Sequence, residues 1–545
     1  MDRRALLAGA ATAGVASAAI PDDVLAASDR AEAIAATRYG RVRGIRSPDG
    51  VITFRGVPYG APTSGSNRFM PPVKPEPWTG VREAVEWGQS APQLVSFVPS
   101  EVQAYLGGPV ARAQGEDCLV LNIWTQGLAA GRRRPVYVRI HGGGYSTGSG
   151  DRPMYLGHNT VRRGDVVYVS MNHRLDCFGF LDLSQFGGDA FAASANVGLL
   201  DLVAALEWVR DNIEHFGGDP DRVMIVGESG GGAKVSTLLG TPAAKGLFHR
   251  AVIESGPSLA LPSRQTSLAL AERFLKRAGI GPGQIGELQA IPAHLMLEAR
   301  QLTLNRRWFP YEAPPQGGFG PIADGTIVPR DMFDPVATPI SSDVPVIVGY
   351  NRDEGTFLQM ADPDLYGLDD AGLEGRVRGL VGDAAPQVIA AYRDAQPNAT
   401  PSELMIGFGT DYIFGANSIK LAERKAALGP APVYLYRFDW ATPAFAGKFG
   451  ATHGVEIPFT AYNIAEMPVL TRDRPDAHAL AAQVNDTWTA FAATGDPNGA
   501  GLPHWPAYTA QRRATLLIDQ HSQVVDDALG PNLRRLWDAV PARRI

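Results

Sequence analysis

Short, nearly uninterrupted apolar runs recur along the chain, each bounded by turn residues: Val136 to Ile140, Val166 to Val169, Val223 to Val226, Ala251 to Ile253, Val344 to Val348 and Val433 to Tyr436. Runs of this length, rich in β-branched residues, predict strands buried on both faces. Between the second and third, Leu199, Leu202, Val203, Leu206, Val209 and Ile213 fall at helical spacing until Gly217-Gly218 ends the run. Strand, helix and strand in that order predict a parallel crossover, hence an α/β architecture with a large, mostly parallel central sheet flanked by helices. Segments 263–308 and 364–417 are helical in composition and interrupt the strand series, as cap insertions over a sheet would. No fixed-period repeat and no Gly/Ser- or Pro-rich linker divides the chain, so a single domain over 28–545 carrying those insertions is the simplest arrangement.

Composition narrows the function classes. With 45% hydrophobic and 19% charged residues the chain has material for a packed core, while 61 Gly and 42 Pro disfavour an all-helical bundle. A net charge of −6 gives no electrostatic footprint for nucleic acid and no polybasic membrane anchor. The two cysteines, Cys118 and Cys177, can build neither a disulfide framework nor a thiolate metal cluster. At the N-terminus, Asp2-Arg3-Arg4 precedes a mildly apolar, Ala- and Gly-rich run to Ile20 containing Ala16-Ser17-Ala18. Paired arginines before such a stretch predict a twin-arginine-like export signal over 1–27, and so a periplasmic or secreted protein; an Ala-rich helix is the alternative. No later run approaches the length of a membrane-spanning segment.

Two segments match Gly-x-Ser-x-Gly: Gly144-Tyr145-Ser146-Thr147-Gly148 and Gly227-Glu228-Ser229-Gly230-Gly231. A nucleophile elbow needs a strand before it, a strained turn at the serine and a helix directly after. Arg222 to Val226 supplies the strand and Ala233 to Leu239 the helix, which selects Ser229. Ser146 follows three glycines, precedes Gly148-Ser149-Gly150 and has no helix start, so it is a decoy. The glycine run has its own chemistry: His141-Gly142-Gly143-Gly144 directly after a strand matches the oxyanion loop of lipases and esterases, in which backbone N–H groups face a developing oxyanion. The expected donors are Gly143, Gly144 and Gly230.

A serine nucleophile needs a base, and the base a carboxylate. Downstream lie His249, His294, His453, His478, His504 and His521, and the adjacent carboxylates Asp353 and Glu354 follow a predicted strand; spacing alone ranks none of them.

Ordered motifs across nearly the whole chain settle the choice by likeness. They are Phe54-Arg55-Gly56-Val57-Pro58-Tyr59, Arg68-Phe69, Trp78-Thr79-Gly80-Val81, Glu116-Asp117-Cys118-Leu119, Asn172-His173-Arg174-Leu175 and Phe178-Gly179-Phe180. Asn212-Ile213, Phe216-Gly217-Gly218-Asp219-Pro220, Asp324-Gly325, Asp353-Glu354-Gly355, His453-Gly454-Val455-Glu456-Ile457-Pro458-Phe459 and Thr494-Gly495-Asp496-Pro497-Asn498 follow. Together they resemble the type-B carboxylesterase family, the cholinesterase-like branch of the α/β-hydrolases. The resemblance implies a triad of Ser229, Glu354 and His453, further positions at Glu228 and Ser255 beside it, a small-molecule ester substrate, and neither metal nor organic cofactor. Three departures stand out. The cysteine that in this family commonly pairs with the Cys118 position is replaced by Ala91 before Pro92-Gln93, Cys177 has no assigned partner, and Gly230 stands where Ala is usual. An acyltransferase using the same acyl-enzyme and a non-catalytic cholinesterase-like binding module are the alternatives; the second typically lacks the Ser or His that this chain retains. Oligomeric state and the physiological ester are not legible.

Overall fold

The computed structural model describes residues 33–94, 113–128, 133–304, 318–358, 362, 364–499 and 501–541. The expected export segment 1–27 and residues 305–308 of the first predicted insertion lie outside these. In chain order the strands are β1 (Ile34–Thr37), β2 (Gly40–Arg43), β3 (Ile45–Arg46), β4 (Ile52–Pro58), β5 (Val81–Glu83), β6 (Val120–Thr125) and β7 (Arg134–Ile140). Then come β8 (Val167–Met171), β9 (Gly218–Glu228), β10 (Arg250–Glu254), β11 (Val346–Asn351), β12 (Val433–Phe438), β13 (Ala514–Ile518) and β14 (Gln523–Asp526). A small sheet joins β1, β2 and β5; the rest form one sheet in the order β14-β13-β12-β11-β10-β9-β7-β8-β6-β4-β3. From β13 to β8 every pairing is parallel, and both flanks are antiparallel.

All six predicted strands fall inside the parallel block, and packing explains why they were legible. Alternate residues feed two cores, one on each face. Val136, Val138, Val223, Ile225, Ala251 and Val346 pack with Leu199, Leu202 and Leu206 of the Val197–Asn212 helix. Tyr137, Met224, Val226, Val252 and Ile347 pack with Leu480, Val484 and Trp488 of the Pro475–Thr494 helix. A strand covered on both sides has no polar face, so it reads as a continuous apolar run. The boundaries differ in places: β11 begins at Val346 rather than Val344, because Pro345 has no N–H to give a ladder.

The crossover helix ends at Gly217, whose φ of 79° is the left-handed stop that the Gly-Gly pair predicts. It connects β8 to β9 across β7, which lies between them. By length and composition Asp189–Phe216 could cross a membrane, but 67% of its most apolar window is buried within the fold, where it serves as a core helix.

Both insertions leave the sheet after a parallel strand. The first, between β10 and β11, contains the helices Arg264–Ala278 and Ala293–Leu304, whose Leu270, Phe274 and Met296 join Phe69, Phe178 and Phe180 in a third core. The second, between β11 and β12, contains Asp370–Val381, Ala385–Ala395 and Pro401–Thr410, then a π-helical turn, Asp411–Gly415. Thr400 and Glu403 form a reciprocal capping box at the start of the third of these helices. Cys118 and Cys177 are both buried free thiols.

Candidate active site

β9, paired on both sides, delivers Ser229 at its C-terminal end, and the helix Gly230–Leu238 leaves immediately after it. Ser229 has φ 57° and ψ −124°, a conformation that costs a non-glycine residue roughly 1–3 kcal/mol and that its surroundings must enforce. They do so by close packing: a Cβ on Gly231 would overlap the carbonyl of Ile140 at the end of β7, so only glycine lets helix and strand approach this far.

The oxyanion-type loop follows β7. Gly143 and Gly144 take φ of 93° and 62°, and a Cβ on Gly230 would overlap the backbone of Gly144. The three expected donor residues therefore lie side by side. Gly142 N–H donates to Tyr155 Oη at 3.1 Å, and Thr147 N–H closes the turn on the Gly143 carbonyl at 3.0 Å. Ser146 lies within this turn, and no α-helix starts after it before His158–Gly164.

His453 lies between two carboxylates. Its Nδ1 is 2.5 Å from Glu354 Oε2, and its Nε2 is 3.3 Å from Oε1 of Glu228, the neighbour of Ser229. Glu354 opens a short helix after β11 and is fully buried; Oε1 accepts the Asn351 N–H at 2.8 Å. Asp353 has another task, its Oδ2 receiving the Arg352 guanidinium and the Ala451 N–H. Of the other histidines, His249 accepts the Val223 N–H, His478 meets Asp473, and His294, His504 and His521 are exposed.

Below the imidazole, Ser255 Oγ donates to Glu456 Oε1 at 3.4 Å, and Asn351 Nδ2 donates to Glu456 Oε2 and to the Thr452 carbonyl. Burial on its own would lower the His453 pKa, but the charges of Glu228 and Glu354 override it and raise the ring to about 9. Burial raises Glu228 to about 7 against the opposing pull of His453. Glu456 is pushed well above the carboxylate range by burial and by the Glu228 and Glu354 charges, which favours its neutral acid. Among the described residues, no group of three or more His, Cys, Asp or Glu is disposed to hold a metal ion.

Aromatic rings enclose the imidazole. Phe414 stacks on it at 4.7 Å between centroids and 16° between planes, and Phe357 approaches at 5.3 Å. Phe414 comes from the π-helical turn, a geometry often found at functional sites. That turn is anchored through Asp411, which accepts the Tyr392 hydroxyl at 2.6 Å; Tyr392 in turn accepts Trp537 Nε1–H at 3.0 Å from the C-terminal helix Pro531–Ala539.

Sequence reasoning missed Glu456, Asn351, Phe414 and Lys234. Glu456 carried a signal, since it stands three residues after His453 in the same motif. Lys234 carried one too, as the sole charged residue of the helix that follows Ser229. Phe414 carried none, because its role depends on a turn that periodicity does not reveal.

Comparison with known proteins agrees with this architecture. The model of the carboxylesterase family matches residues 31–537. The para-nitrobenzyl esterase of Bacillus subtilis is 34% identical over 92% of this chain and 98% of its own, and the phenmedipham hydrolase of Pseudarthrobacter oxydans is 35% identical over 89% and 95%. A solved carboxylesterase of Geobacillus stearothermophilus superposes with a TM-score of 0.80 at 38% identity, covering 93% of this chain and 99% of that one. A family match from residue 31 to 537, with relatives above 30% identity over nine-tenths of the chain, admits one conclusion: the chain belongs to the carboxylesterase family and is a carboxylic ester hydrolase of the α/β-hydrolase fold.

Proposed function

We propose that this protein is an exported serine carboxylesterase that works through an acyl-enzyme on Ser229. In the first half-reaction Ser229 Oγ adds to the ester carbonyl carbon and passes its proton to His453 Nε2, while Glu354 fixes the Nδ1–H tautomer and stabilises the imidazolium. The oxyanion is received by the N–H groups of Gly143, Gly144 and Gly230. Collapse breaks the bond to the alcohol oxygen, which takes the proton from Nε2. Water then repeats the sequence on the acyl-enzyme and releases the acid. The observation that carries this reading is the 2.5 Å contact between His453 Nδ1 and Glu354, formed beside an elbow that strains Ser229.

Its test is substitution. Ser229→Ala should lower kcat on p-nitrophenyl acetate by roughly 10⁴ to 10⁶ and abolish fluorophosphonate labelling, and His453→Ala should match it in rate. A Ser146→Ala variant that loses activity while Ser229→Ala keeps it would place the nucleophile in the glycine loop instead. Product analysis with added alcohol distinguishes water from alcohol as the acyl acceptor. Export rests on the N-terminal Arg3-Arg4 pattern. Replacing both arginines by lysine should retain the enzyme in the cytoplasm, and unaltered export would remove the twin-arginine assignment.

A further inference from the structure

Lys234 lies in the helix that leaves the nucleophile elbow and is 1% exposed, although an ammonium is an expensive group to bury. Its Nζ donates to the carbonyl of His141 at 3.0 Å and stands 5.6 Å from the centre of the Tyr145 ring. Those two residues bracket the glycine run: His141 is the last residue before Gly142-Gly143-Gly144, and Tyr145 the first after it. One turn further along the same helix, Thr237 Oγ1 lies 3.4 Å from the Tyr145 hydroxyl.

Three consecutive glycines have no side chains to pack and the largest backbone freedom of any sequence, so their pose must be imposed from outside. A donor array stabilises an oxyanion only to the extent that it is already aimed before the charge appears. We propose that Lys234 is a positioning residue which holds the oxyanion loop at both ends, through the His141 carbonyl and the Tyr145 ring, and so aims the Gly143 and Gly144 N–H groups. The inference rests on the reading of those glycines as oxyanion donors. Burial of the amine lowers the lysine pKa to about 7 against the pull of Glu228.

A merely structural lysine and a positioning lysine give different results on replacement by methionine, which keeps the stem and removes the donor. Relief from burying an ammonium and loss of the donor to the His141 carbonyl oppose one another, so the melting temperature of Lys234→Met should stay close to that of the parent. The kcat on p-nitrophenyl acetate should nevertheless fall about 10- to 100-fold with KM within about threefold, because only transition-state stabilisation is lost. Affinity for an aryl trifluoromethyl ketone, which forms the tetrahedral adduct, should fall by the same factor as kcat/KM, while fluorophosphonate still labels one serine per chain. Lys234→Gln, which keeps a shorter donor, should fall between the two, and it carries the test alone if the methionine variant does not fold. Parental kcat and parental ketone affinity in the variant that folds would overturn the proposal, as would a rise in KM at constant kcat or a loss of rate matched by a loss of melting temperature. Failure of the underlying site reading is separately visible, since Ser229→Ala on the Lys234 parent would then retain activity and labelling.

Discussion

At the scale of single residues, the charge state of His453 decides when the site can work. Nucleophilic attack needs the neutral imidazole, and the ring's pKa of about 9 is sustained by Glu228 first and Glu354 second. A raised base pKa means that kcat/KM climbs with pH until the ring has lost its proton. Glu228→Gln removes the larger of the two raising charges, so the acid limb of the kcat/KM profile should move to lower pH, with Glu354 left to orient the ring. A limb that stays in place would show that Glu228 is neutral in the working enzyme, which its own pKa of about 7 permits only toward the acid side. The choice between Asp353 and Glu354 also belongs to this scale. By spacing alone the two adjacent carboxylates are equivalent, and only the family resemblance pointed to Glu354; the structure separates them by turning Asp353 to Arg352 and the Ala451 N–H and Glu354 to an imidazole.

At the scale of elements, the elbow and the glycine loop are fitted to one another. Gly230 stands where the family usually has alanine, and in this chain the Gly144 backbone fills the space which that methyl would occupy. Gly230→Ala must therefore push the loop back. Because displacements near 1 Å in a reacting geometry cost about 100-fold, kcat should drop by about 10- to 100-fold while the acyl-enzyme burst still counts one site per chain. An unchanged kcat would mean that the loop relaxes at no cost. The elements themselves were unevenly legible. The parallel strands and the crossover helix showed through because burial on both faces leaves an unbroken apolar run. The antiparallel flank did not: β4 is interrupted by Arg55-Gly56 at a register shift, and β3 is only two residues long. Nor did the second insertion resolve into helices, since Asp370–Val381 and Ala385–Ala395 bury only Leu373, Val377, Ala385, Val388 and Tyr392 between them. The candidate site was legible where a local motif pointed to it, as at Ser229 and the glycine run. It was not where residues meet only by long-range contact, as Phe414 does with His453.

At the scale of the whole molecule, both insertions reach the residues around the candidate site: the first packs with Tyr145, and the second lays Phe414 on His453. Tyr145 is turned toward Phe180, with ring centroids 5.2 Å apart, and joins the core of the first insertion, while no side chain projects from residues 142–144. With Gly143 and Gly144 facing the oxyanion as proposed, the loop borders the reacting carbon with backbone alone, and esters of bulky alcohols should fit. Measurable hydrolysis of tert-butyl or linalyl acetate is expected beside fast turnover of p-nitrophenyl acetate. If the tertiary esters are inert in the parent and no worse in Gly143→Val, access is limited by the insertions and the argument from loop width fails.

The hydrogen-bond chain from Trp537 through Tyr392 to Asp411 ties the helix Pro531–Ala539 to the turn that lays Phe414 on the imidazole. That helix follows Ser229, Glu354 and His453 in the chain. A chain halted at Gly530 should thus possess every reacting group and still turn over p-nitrophenyl acetate at least about tenfold more slowly, because the ring is no longer held on one face. A parental rate in that truncation would show that the π-turn stands unaided. The consequence is a remote tension: the ring on the His453 imidazole is kept taut by an indole far down the chain, as a guy-rope steadies a mast from a distant peg.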